Sequence, residues 1–284
     1  ASPVVQDAYR QTQFLLGNDL GLFERAMNLQ LAIVAANAKA RTPATAAIFS
    51  FWSRTYSHLA DVATIMSLGS YSSCPPLVRA ALDCVAVQRG LIRDGFGEYE
   101  QWFEGAISQD KARAALRFDL GRYRAGSVLA EDERLGILYR LLMDLSMPHF
   151  GSTAFQAGAD SSLQKLALGF GDQAFHLAWA ELVMGWLLTL CDAQLQTVAA
   201  AAVLTVPATA RTAVADATRD IAHLLGSGRR CYVEEADGRF LFTREPGNLV
   251  LRIDKLDLSS GSRQFWKELV SPDPTVLIDI GSDP

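Results

Sequence analysis

Proline and glycine cut most of this chain into helix-length pieces, and that punctuation limits the fold more than any other feature. Ser2-Pro3, Thr42-Pro43 and Ser73-Cys74-Pro75-Pro76 each put a capping side chain just before a proline whose fixed φ suits the first turn of a helix. The first such start predicts a helix ending at Gly17, and a second helix is expected over roughly 20–40. The start at Thr42 opens a long amphipathic helix to Leu68, with Gly69 as its stop. Ile48, Phe51, Trp52, Leu59, Val62 and Met66 form its buried stripe. The helix after Pro76 runs to near Gly95, and shorter helices are expected over roughly 97–107 and 109–124. Another helix covers Glu131 to Ser146, where Pro148 stops it, and Pro148 to Ser162 reads as a loop rich in Gly, Ser and Ala. Asp172 is placed to cap a long helix to about Leu204, and Pro207 separates it from a last helix ending at Leu225.

Beyond Gly226-Ser227-Gly228 the periodicity shortens. Strand-like runs flank Asp237-Gly238, a two-residue hairpin signal, and Thr275–Ile280 is a further strand candidate. The expected organisation is a helical domain over 1–228 and a small β-containing appendage over 229–284. The fold class is therefore mostly α. With 284 residues, half of them apolar and 20% charged, the chain can bury a large core.

The formal net charge of −5 disfavours non-specific nucleic-acid binding, which needs a basic surface. Arg89, Arg93, Arg113, Arg117, Arg122 and Arg124 leave room for a local basic patch. Cys74, Cys84, Cys191 and Cys231 form no C-x-x-C pair and read as free buried thiols, which suits a reducing, cytoplasmic setting. The chain begins Ala-Ser-Pro without methionine, which leaves a removed leader open. Its most apolar run, Leu182–Cys191, is shorter than the roughly 20 residues of a spanning helix and reads as a core helix, so no membrane span is expected.

Few residues carry candidate chemistry. Arg79 and Asp83, four apart, share one face of their helix beside the stripe Val78, Leu82 and Val85. Tyr139, Met143 and Ser146 share a face of another helix, and His149 follows where it ends. An imidazole there can donate to the open carbonyls of the last turn. It can equally lock onto Asp83 and tie two helices together.

These elements resemble the HEPN-like group of helical bundles, several of which have an Arg-x-x-x-acid helix followed by a helix ending in Tyr…Leu-Ser-x-x-His. The matching positions are Arg79, Asp83, Tyr139, Leu145, Ser146 and His149, and the resemblance covers roughly 43–205. It implies an up-and-down bundle with extra helices, a polar cluster of Arg79, Asp83, Tyr139, Ser146 and His149 between helices, and RNA or a protein as partner, with a homodimer as the assembly. Nucleases of the group are metal-independent and use an Arg and a His with four to six residues between them, at a dimer interface. This chain departs from that spacing: Arg54 to His58 and Arg219 to His223 have three residues between, and Arg140 to His149 has eight.

No cofactor motif is present. Gly169–Phe175 lacks the strand and the Gly-Lys-Ser/Thr ending of a phosphate loop, and no Gly-x-Ser-x-Gly elbow occurs. His58 with Asp61 and His176 with Glu181 lack the Glu-x-x-His spacing of di-metal bundles, so no metal is expected. Trp52, Trp102, Trp179 and Trp186 fall within helical patterns and read as core. The leading expectation is a binding or regulatory helical module. The alternative is a ribonuclease or defence effector in which His149 and Arg79 act on RNA from different helices.

Overall fold

A computed structural model describes residues 2–39, 42–97, 99–100, 127–146 and 169–226, together with five short strand segments between Tyr232 and Asp279. The expected helices over 97–107 and 109–124, the loop after Pro148, the Asp237-Gly238 turn and Cys231 lie largely or wholly outside the described residues.

The protein is mostly helical, and its first helices begin where local capping dictates. Helix α1 (Pro3–Leu15) opens with the Ser2 hydroxyl accepting from the Val5 amide at 3.3 Å. Gly17, expected to end this helix, instead starts α2 (Gly17–Ala36), because buried Leu16 turns the chain between the two helices. Helix α3 (Pro43–Ser67) carries a reciprocal cap: the Thr42 hydroxyl accepts from the Thr45 amide, and the Thr45 hydroxyl accepts from the Thr42 amide. A single 3₁₀ turn, Tyr71–Ser73, leads into α4 (Cys74–Arg93). The connection is so short that α3 and α4 pack as an antiparallel pair. A short helix α5 (Ser127–Ala130) precedes α6 (Glu133–Ser146), which Asp132 caps through the Leu135 amide.

Helix α7 (Leu177–Ala200) is the centre of the molecule, and α8 (Ala208–Gly226) follows it. Helix α7 packs on α2, α3, α4, α6 and α8. It is apolar nearly all round, as a helix enclosed on every side must be. Length and composition would let its Trp179–Ala200 stretch cross a membrane, and 83% of that window is buried inside the protein. The polar residues that follow Cys191 do not end the helix. Gln196 is exposed and donates to Asp192 within the helix, whereas Gln194 faces a neighbouring helix. Gln194 donates to the Gln88 side chain on α4 at 2.7 Å, and Gln88 donates to the Ile48 carbonyl on α3 at 3.2 Å. On another side, Trp52 of α3 donates to Gln30 of α2 at 2.6 Å, and Gln30 donates to the Cys191 sulfur at 3.3 Å.

Helix α7 starts later than expected. Asp172 does not cap it; its carboxylate accepts from the Ala174 amide two residues on, and His176 is the residue at the helix start. The strap 169–176 lies across the turn after α3. Gln173 donates to the Ser70 hydroxyl at 3.2 Å, and the His176 amide donates to the Tyr71 hydroxyl at 3.3 Å. The close approach needs Gly69, whose φ is +78° and where a Cβ would stand 2.2 Å from the Gln173 carbonyl oxygen. Gly69→Ala is predicted to cost at least about 2 kcal/mol, from left-handed backbone strain plus that collision. Urea unfolding measures it, and an unchanged midpoint would mean that the strap does not sit on Gly69.

Candidate functional site

Arg79 and Asp83 fall on α4, and Tyr139 and Ser146 on α6, two helices that pack together. One buttress sets how they meet. Arg89 of α4 donates through Nε to the Thr197 hydroxyl on α7 at 2.9 Å, and through one terminal nitrogen to Asp132 at 3.3 Å. Asp132 stands at the start of α6 and Arg89 near the end of α4, so α6 packs on α4 by running back toward the start of α4. Arg79 lies ten residues before Arg89, about 15 Å down the axis at 1.5 Å per residue. Ser146, fourteen residues after Asp132, lies about 21 Å along α6.

Arg79, Asp83, Tyr139 and Ser146 are all half-buried on these helices. Tyr139 packs against the core. Two atoms stand out: the Arg79 Nε and the Ser146 hydroxyl are closed off from solvent and have no hydrogen-bond partner. Arg79 is the one guanidinium in that position among the described residues; others without a partner include the neutral Trp186 Nε1, Gln194 Oε1 and Thr218 hydroxyl. No hydrogen bond or ion pair joins Arg79 to Asp83 among the described residues, although their spacing suits one. His149 lies outside the described residues.

The neighbouring helix adds a group that the sequence offers both as a metal ligand with Asp61 and as a nuclease-type partner of Arg54, with spacing that suits neither. On α3, His58 is partly buried, and its Nε2 is enclosed without a partner. Burial holds the His58 pKa below 6.5; the Arg54 charge lowers it further, and Asp61 opposes both. Arg54 also acts on Cys84 of α4. Burial pushes that thiol up, the Asp83 charge adds to the rise, and Arg54 opposes it. Arg54 on α3 thus lies within electrostatic reach of Cys84 on α4. The signal for His58 was its place next to Leu59 and Val62 on the apolar side of α3.

A second polar group lies in the strap. Asp172 accepts from His176 Nε2 at 2.8 Å. Burial raises the Asp172 pKa, but the Ala174 amide and His176 outweigh it and leave the carboxyl below its usual range. Buried Tyr71 is pushed up to about 12, chiefly by desolvation, and stays a neutral acceptor for the His176 amide. Each of these groups bonds to another part of the strap or to the turn beneath it, so the cluster closes the fold.

Among the described residues, no three His, Cys, Asp or Glu side chains gather where a metal ion could be held. Cys74, Cys84 and Cys191 are free and buried. No family model, curated protein or solved structure matches this chain.

His58 gives a pH signature. Its pKa is lower folded than unfolded, so below about pH 6.5 the unfolded chain binds the extra proton and stability falls with pH. That part of stability is fully present above pH 6.5. His58→Gln is predicted to flatten the urea midpoint between pH 7.5 and pH 5.5 relative to the parent chain. Equal slopes in both proteins would show that His58 is solvated.

Proposed function

We propose that this chain is a helical binding module that recognises a polar group at the seam between α4 and α6. Arg79, Asp83, Tyr139, Ser146 and His149 are its contact residues. The observation that carries this reading is the pair of enclosed polar atoms without partners, Arg79 Nε and Ser146 Oγ, on two packed helices. Leaving such a group unpaired costs about 1–3 kcal/mol, and more for a charged one. Gln30, Gln88, Arg89 and Asn37, by contrast, bond across helices or to the loop after α7. A donor group kept ready and unbonded is what a binding site requires.

The HEPN-like membership is part of the same proposal and rests on the motif residues alone. So does the up-and-down description of the bundle. A cytoplasmic location is proposed from the free, buried thiols. We also read 1–228 as the bundle domain and 229–284 as a β-containing appendage.

The binding reading predicts that the contact residues are dispensable for folding. Arg79→Met keeps the apolar stem, and Ser146→Ala removes only a hydroxyl without a partner. Each is expected to leave the urea midpoint unchanged or to raise stability by up to about 1 kcal/mol. A loss above about 1 kcal/mol in both variants would make the cluster an architectural lock instead. Cleavage of RNA in the absence of metal, lost in His149→Ala at an unchanged melting temperature, would replace binding with the ribonuclease reading.

A further inference from the structure

We infer that the strap 169–176 is an acid-released latch: when Asp172 loses its charge, the strap lifts off Gly69 and Tyr71 while the helical bundle stays folded. None of the strap residues is buried. Phe170, Gly171 and Gln173 are exposed, and Phe175 rests half-buried on the core. Polar contacts hold the strap instead, and a segment held that way opens at lower cost than a helix packed in the core. Among the described residues, Gln173 donates to Ser70 and the His176 amide donates to the Tyr71 hydroxyl. The Ala174 amide and His176 Nε2 both donate to Asp172. The bundle does not depend on these bonds: the bridge from Gln194 through Gln88 to the Ile48 carbonyl includes no strap residue.

Asp172 is the pivot of the set. It accepts from both of its donors at 2.8 Å. A tight turn aims it: Gly171 has a φ of +62°, and a Cβ on Gly169 would stand 2.9 Å from the Asp172 Cβ. The two bonds bend the chain so that the His176 amide and ring both meet Tyr71, the rings lying edge to face at 6.1 Å. Protonation of the carboxyl replaces two charge-assisted bonds with weaker neutral ones. Tyr71 is 2% exposed beneath the strap, so release opens its phenol and the turn at Gly69 to solvent. Among the described residues, the titratable groups that face Asp172 are His176 and Tyr71, with Cys74 behind Tyr71. Burial pushes Tyr71 and Cys74 up to about 12, so both stay neutral. The last turn of α3 carries no basic residue, and the first turns of α4 and α7 carry no acidic one. The Asp172 carboxyl lies below its usual range in the folded chain. The latch is therefore fully closed above about pH 4 and is lost as pH falls through that lower value.

The test is native-state hydrogen exchange of the full chain by NMR, read at the His176 amide, whose acceptor is Tyr71 and not Asp172. One arm takes the parent chain from about pH 6 to about pH 3.5, corrected for the intrinsic exchange rate. The other compares Asp172→Ala with the parent at the higher pH. In both arms the protection of the His176 amide is expected to fall about ten-fold or more, through an opening insensitive to urea. The amides of Trp186 to Leu195 are expected to keep the urea dependence of the whole protein in the same samples. Unchanged protection at His176 in either arm overturns the inference. So does a loss shared by the strap and α7 with one urea dependence, which makes the strap an integral part of the core.

Discussion

Two glutamine bridges on one enclosed helix hold this structure in register. Helix α7 is buried on nearly every side, so dispersion and the hydrophobic effect bring α2, α3, α4 and α8 onto it. Those forces are not directional and would tolerate a helix rotated or slid by a turn. Gln194 to Gln88 to the Ile48 carbonyl fixes α7 against α4 and α3. Trp52 to Gln30 to Cys191 fixes it against α3 and α2. Buried amides such as these would be costly unpaired, so a slip of one turn breaks both bridges together.

The candidate seam inherits its geometry from that arrangement. Arg89 touches α7 through Thr197 and α6 through Asp132, so the placement of α7 sets where α6 begins on α4. From that point α6 carries Tyr139 and Ser146, on a helix that packs against α4. A polar contact deep in the bundle therefore governs the spacing of groups at its edge. The strap over Gly69 closes the other approach to α7 and contributes no free polar group to the seam.

Local features of the fold were legible in the sequence and long-range ones were not. Ser2 and Thr42 cap their helices because capping involves only the next three residues. Gly69 stops α3 for the same kind of reason, with its positive φ. Asp172 misled because an aspartate can bond its own backbone two residues on as readily as cap a helix. Gln30, Gln88 and Gln194 gave no signal at all: a glutamine within an amphipathic pattern looks like a surface residue until its partner on another helix is known. At the seam, the four-residue spacing of Arg79 and Asp83 was readable as a shared face. That Arg79 Nε and Ser146 would be left enclosed without partners depends on contacts between distant segments, and no spacing rule reports that.

The central claim is that α7 and its two glutamine bridges form the last part of the structure to open. Native-state hydrogen exchange tests it directly. The amides of Trp186 to Leu195 are predicted to exchange only through global unfolding, with the same denaturant dependence as the whole protein. Exchange of those amides through local openings, at or below the protection found in α1 or α8, would contradict it.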